Sequence, residues 1–167
     1  IRPVYDTAIA QLSGKAPPLP SKPTYTTKLT GRARDLYLKG AEVYHREGHC
    51  VTCHQENGLG LPAAQFPPIA HTKWLLGNEE RLIKLTLNGL LGTIEVKGKA
   101  YPGQVPMTGF RALSDEDIAA VLTYARNSFG NEAPMVSPAR VAKVREATKA
   151  DSSFYAPSEL LKEYPHD

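Results

Sequence analysis

The only two cysteines of this chain stand at positions 50 and 53, and a histidine follows at 54. With two cysteines among 167 residues, a long-range disulfide framework is excluded. The fold must be held by its core or by something that the pair binds. Cys50-Val51-Thr52-Cys53-His54 is a C-x-x-C-H sequence. Two thiols at that spacing reach the two vinyl groups on one edge of a haem and form thioethers, and the next residue sets an imidazole beneath the iron. The competing chemistries need more than this. A structural zinc site wants four ligands, often as two paired clusters, and there is no second cysteine pair. A thioredoxin-like redox pair follows a strand in a βαβ unit, whereas here a helical pattern precedes the cysteines. The motif points to one covalent haem c, attached through Cys50 and Cys53, with His54 as axial ligand.

A second axial ligand should be soft and come from far along the chain. Met107 qualifies, in the irregular segment Val105-Pro-Met-Thr-Gly-Phe110 before the last core helix. A thioether on the iron favours the reduced state and raises the potential. The competing role for Met107 is that of a gap-filling core residue. The other methionine, Met135, lies beyond the last core helix and is the poorer candidate. His45, His49, His71 and His166 read as surface or hydrogen-bonding histidines.

The rest of the chain divides in three. Residues 1–30 read as a Pro-rich arm or linker, with prolines at 3, 17, 18, 20 and 23 favouring extended chain; a weak helix at Thr7–Leu12 is conceivable within it. Residues 31–131 carry the core. Leu36, Tyr37, Gly40, Val43 and Tyr44 form one stripe of a helix, with Gly48 as its stop. Asn78 caps a second helix to about Leu87, with Leu82, Ile83 and Leu87 facing inward. Thr93–Tyr101 alternates loosely around Lys97-Gly98 and suggests a small hairpin. Ser114-Asp-Glu-Asp117 resembles a capping box before Ile118, Val121, Leu122 and Ala125. Residues 132–167 read as a helical C-terminal tail, laid on the domain or connecting to another. Its first helix would start at Ser137-Pro138, with Val141, Val144 and Ala147 as its few apolar positions. A short turn would follow at Ser158–Lys162.

Composition sets outer bounds. The hydrophobic fraction is 41%, ordinary for a globular protein, and no apolar run reaches the roughly 20 residues that span a bilayer. The formal net charge is +3, without a basic block interleaved with aromatics, so no nucleic-acid footprint is present. The chain begins at Ile1 without a basic-then-apolar signal segment. Either a signal peptide has been removed or the chain is a piece of a longer protein.

On these residues the chain resembles the class I c-type cytochromes, and more narrowly the bacterial monohaem domains that serve, or are fused to, periplasmic oxidoreductases. The resemblance rests on Cys50–His54, Gln55–Pro62, Phe66-Pro-Pro-Ile-Ala70, Trp74, Leu90–Gly98, Leu113-Ser-Asp115 and Ala120–Arg126, and covers about residues 34–131. It implies an all-α cytochrome c fold: about three core helices around one haem c, a small β-hairpin and extended N- and C-terminal arms. It implies a tight crossing of the first and last core helices, with Gly40 of one against Tyr124 of the other. It implies that the Pro67 carbonyl accepts a hydrogen bond from the ligand imidazole, that Ile69 packs on the haem, and that Trp74 donates to a propionate. Two features depart from relatives: Pro106 precedes the candidate ligand rather than following it, and His71 stands where many have glycine.

The function expected is single-electron transfer by a His/Met-ligated haem c, as a carrier or as the electron-transfer module of a periplasmic oxidoreductase, rather than an enzyme in its own right. The partner would be a redox protein or a fused oxidoreductase domain, and the location periplasmic after export. The rival is a five-coordinate haem enzyme or diatomic-gas sensor in which Met107 does not bind. No distal acid/base constellation supports it.

Overall fold

A computed structural model describes residues 25–46 and 49–166. Most of the expected arm, including Thr7–Leu12, and the expected stop at Gly48 lie outside the described residues. The described chain is predominantly helical with two small two-stranded sheets.

Helix α1 spans Gly31–His45 and buries Leu36, Tyr37, Gly40, Val43 and Tyr44, the stripe that the sequence spacing predicts. Helix α5 spans Asp115–Arg126. Ser114 Oγ accepts from the Asp117 N–H at 3.1 Å, and Asp115, Glu116 and Asp117 place negative charge at the positive helix start. Its buried residues run all round the helix, from Ile118 to Arg126, as expected of a helix packed on every side. The two helices cross at Gly40. A Cβ there would lie 2.0 Å from the Ala120 carbonyl oxygen and 2.7 Å from Tyr124 Cβ, so only glycine lets the backbones come this close. The crossing expected between Gly40 and Tyr124 is therefore present.

Between them lie the elements that shape the site. Helix α2 is the motif itself, Cys50–His54, and a single 3₁₀ turn follows at Pro62–Ala64. Helix α3 is short, Lys73–Leu76. Helix α4 spans Glu79–Asn88, capped by the Asn78 side chain on the Arg81 N–H. The expected hairpin exists: β2 (Ile94–Val96) pairs with β3 (Lys99–Tyr101). Its two turn residues, Lys97 and Gly98, have φ of 53° and 74°, the left-handed values that a two-residue hairpin turn of this twist needs. A second ladder joins β1 (Gly89–Leu90) to β4 (Met107–Thr108), with Leu90 opposite Met107.

The tail is where sequence reading fell short. Helix α6 (Pro138–Ala147) starts at the expected Ser137 cap, and α7 (Pro157–Glu163) matches the expected short turn. Neither stands apart. Val136, Val141, Val144 and Leu160 are at most 2% exposed and belong to the same core cluster as Leu36 and Ile118. Ala147, expected inward, is exposed; Thr148 is buried in its place. Arginines fix the tail to the domain. Arg145 pairs with Asp115 and donates to the Arg111 and Leu113 carbonyls. Arg111 Nη2 donates to Thr148 O at 2.7 Å, and Arg140 pairs with Glu80. The packing thus has no seam at residue 131. Few apolar residues in the tail do not imply a loose tail, because each one completes a core that others began.

Candidate haem site

The five-residue helix α2 is entered through His49 at φ 47° and left through Gln55 at φ 63°. These two left-handed residues turn the motif out of the chain direction on either side. Tyr44 Oη donates to Gln55 O at 2.8 Å and so ties α1 to the end of the motif. The next loop folds back over it. The Gly60 N–H donates to His54 O at 3.1 Å, and the Ile69 N–H to Gly58 O at 2.8 Å. Gly60 has φ 67°, and a Cβ there would meet the Phe66 and Pro67 carbonyl oxygens at 2.5 Å. This close approach brings Pro67 against the histidine.

His54 Nδ1 lies 3.1 Å from Pro67 O. A carbonyl can only accept, so Nδ1 carries the hydrogen and Nε2 keeps its lone pair. Burial lowers the His54 pKa, partly offset by the Pro67 carbonyl, and so favours the neutral ring. This is the tautomer and charge that a metal-ligating imidazole needs.

His54 opens onto a cavity of about 830 Å³. Cys50, Pro67, Ile69, Trp74 and Met107 line it from four different segments, together with Leu82, Leu85, Thr86 and residues of α5. No Asp, Glu, Lys or Arg is among the lining residues. An adjoining pocket shares Cys50, His54, Pro67 and Met107 with it and is lined further by Thr52, Cys53, Phe66 and Val105. Six of the seven sequence-predicted site residues thus share one chamber, and Cys53 lines the pocket beside it. Met107 reaches it because β4 is pinned to β1; Gly89 makes this possible, since a Cβ there would lie 2.4 Å from Met107 O.

Trp74 is 9% exposed and forms cavity wall, and its indole N–H donates to Glu95 O of β2 at 3.0 Å. The four other histidines hold ordinary places. His45 contacts Ala41 O and Glu56, His71 and His49 are exposed, and His166 packs edge-on against Trp74, 5.0 Å between ring centroids. Among the described residues no cluster of three or more His, Cys, Asp or Glu could hold a bare metal ion.

The cytochrome c family model matches residues 37–128, which include the motif, the cavity walls and Met107. The chain belongs to the cytochrome c family. Cytochrome c-552 of Thermus thermophilus is 40% identical over 128 residues, 74% of this chain and 92% of that protein. The cytochrome c subunit of the quinone alcohol dehydrogenase of Gluconacetobacter polyoxogenes is 32% identical over 155 residues, 87% of this chain but 32% of that subunit. The fructose dehydrogenase cytochrome subunit of Gluconobacter japonicus is 32% identical over 111 residues, 66% of this chain and 22% of that subunit. The first two alignments are longer than residues 31–131, so the likeness runs beyond that core.

As a member of this family the chain is an electron-transfer protein with covalently bound haem c. The site fits that group on its own evidence: an apolar chamber without charged lining residues, an imidazole whose Nε2 is left as acceptor, and a thioether on the wall. The cysteines fit it too. Burial pushes the Cys50 thiol up to about 12 and raises Cys53 as well. A redox thiol pair needs the opposite, a lowered pKa.

Sequence reasoning missed two buried cations behind the α3 wall. Arg126 is 5% exposed and donates to Leu75 O at 2.9 Å; Arg81 is 0% exposed and donates to Lys73 O at 2.6 Å. They satisfy carbonyls of the four-residue helix that carries Trp74. Nothing in periodicity marks them, because arginine on a helix reads as surface.

Proposed function

We propose that Cys50 and Cys53 carry the thioether links of haem c, that His54 and Met107 are its two axial ligands, and that Pro67 and Ile69 orient and pack the site. The observation that carries this reading is the convergence of His54 and Met107 on one uncharged cavity, with the histidine held by the Pro67 carbonyl. Haem c supplies a one-electron Fe(III)/Fe(II) couple. The residues of this chain bind the group, exclude water from it, and set its potential through ligand type, burial and hydrogen bonding. With both axial positions filled by side chains, substrate has no place to bind, and the chain acts as a carrier or module rather than an enzyme.

Its partner is an oxidoreductase, as a separate protein or on the same chain. The support is that relatives serve as cytochrome subunits of dehydrogenases. A periplasmic location agrees with covalent haem c and with these relatives. Among the described residues no helix is long and apolar enough to cross a membrane.

The test is Met107→Ala. The variant should lose the thioether-to-iron absorption of the oxidised form, bind carbon monoxide when reduced, and show a lower potential. Retention of that band would transfer the ligand role to another residue, and carbon monoxide binding by the unaltered protein would revive the five-coordinate reading.

A further inference from the structure

The segment that carries Met107 is lightly built. Residues 102–106 before it form neither helix nor strand, and Val105 among them is 62% exposed. The segment is held by its two-residue ladder with β1, where Leu90 stands opposite Met107, and by the Phe110 N–H on Thr86 O at 2.9 Å.

The C-terminal tail reaches both sides of this ligand segment. On the far edge of β1, the Tyr155 N–H donates to Gly89 O at 3.2 Å and the Leu91 N–H to Tyr155 O at 3.0 Å, a parallel bridge at Leu90. β1 is thus the middle of three extended segments, with β4 on one edge and the tail on the other. Phe154 closes over the same place, since a Cβ on Gly89 would meet its ring at 2.7 Å. Past Met107, Arg111 Nη2 donates to Thr148 O and Thr148 Oγ1, each at 2.7 Å. Asn88 joins the two ends. Its Oδ1 accepts from Arg111 Nε and Nη2 at 3.1 and 2.8 Å. Its Nδ2 donates to Asp151 O at 2.9 Å and to Ser153 O at 3.4 Å. Both polar atoms of one half-buried amide are spent on linking the tail to the ligand segment.

A neutral thioether is a weak ligand, open to replacement by a stronger donor. How well it stays on a metal depends on how narrowly the chain restricts it, because an ordered segment loses less freedom by remaining bound. Resting on the reading of Met107 as axial ligand, we propose that Asn88, Arg111 and the tail segment 148–155 are positioning residues for that ligand, holding β1 and residues 107–111 so that the thioether resists displacement. This role is separate from the tail's share in the core. Leu160, farther along the tail, is buried in the core and takes no part in these bonds.

The experiment is imidazole titration of the ferric holoprotein, followed through loss of the thioether-to-iron absorption, with thermal melting recorded alongside. Asn88→Ala should bind imidazole about 10–100-fold more tightly than the unaltered protein, the range that lost hydrogen bonds around a ligand cost a metal site. Leu160→Ala should lower the melting temperature and yet leave imidazole affinity within about twofold, as expected of a site that shares no partner with the ligand segment. Should Asn88→Ala give no holoprotein, Arg111→Lys carries the same expectation, because an ammonium cannot reproduce the planar fork that spans Asn88 and Thr148. Unchanged imidazole affinity in the Asn88 or Arg111 variant would overturn the proposal. So would a Leu160→Ala protein that gains as much affinity as they do, because the tail would then act through stability alone. The unaltered protein separates the two levels: if its ferric form lacks the thioether-to-iron band, the axial-ligand reading falls, and if the band is present while the variants fail to respond, only the positioning role falls.

Discussion

At the α1–α5 crossing the protein fills its own space. Gly40 admits the Ala120 carbonyl so closely that no side chain could fit, and Leu36, Ala41, Ile118 and Ala119 around it are at most 1% exposed. On the other side of α5, Val121, Leu122 and Ala125 face an 830 Å³ cavity instead. One helix therefore carries a face completed by protein and a face completed by haem c. Packing at native density is what makes a core stable, so the first face is stable by itself and the second depends on what it holds. The tail belongs with the first. It adds Val136, Val141, Val144 and Leu160 to the self-filled side, and its Tyr155 backbone pairs with Gly89 and Leu91 beside the cavity.

The largest effect should follow from breaking the cavity side. Cys50→Ala combined with Cys53→Ala should abolish covalent holoprotein, seen as haem extractable by acid acetone, and the melting transition should broaden or vanish. If the variant melts as sharply and at the same temperature as the holoprotein, the cavity side also fills itself and the contrast fails.

Next comes the tail. Removing residues 132–167 takes four buried aliphatic side chains, Val136, Val141, Val144 and Leu160, out of the core. At about 1.5–3 kcal/mol each as an upper bound, their loss would exhaust much of a typical domain's stability. Leu160→Ala is the milder version and should cost about 2–5 kcal/mol while the absorption spectrum stays as it was. A truncated protein of undiminished melting temperature would return the tail to the independent appendage that its sparse apolar residues suggested.

Gly40→Leu tests the crossing itself. Overpacking should cost about 1–3 kcal/mol or more, read as a lowered melting temperature in the holoprotein.

The smallest effect is at the edge of the self-filled side. Burial alone raises the Asp117 carboxyl, but hydrogen bonds from Lys39 and Ser114 outweigh it and hold it below the usual carboxylate range. A folded pKa below the unfolded one means a contribution present above the ordinary carboxylate pKa and lost as pH falls through the folded value. Because Lys39 is 42% exposed and Asp117 27%, the pair is worth under about 1 kcal/mol. Asp117→Asn should flatten the fall of stability below about pH 4 without moving the midpoint at neutral pH by more than that amount.

Much of this was written locally in the chain. C-x-x-C-H points to the cofactor because five consecutive residues are enough for the attachment and ligation proposed here. The helix caps at Asn78, Ser114 and Ser137 and the turn at Lys97-Gly98 were legible because each is decided by a few adjacent side chains and backbone angles. The distant partners of Gly40 and Pro67 were legible only through resemblance, since they join segments far apart.

What only the tertiary structure decided concerns groups whose partner is distant and carries no local signature. Only the fold sets the Trp74 N–H on the β2 backbone. Arg81 and Arg126 looked like surface until the carbonyls of α3 received them. The tail read as laid on the domain or as a connector, and only the fold packs its few valines into the shared core. In each case the residue type constrains what a side chain can do, and the fold supplies which of the competing partners lies within reach, because burial and hydrogen bonding are settled by proximity and not by order along the chain.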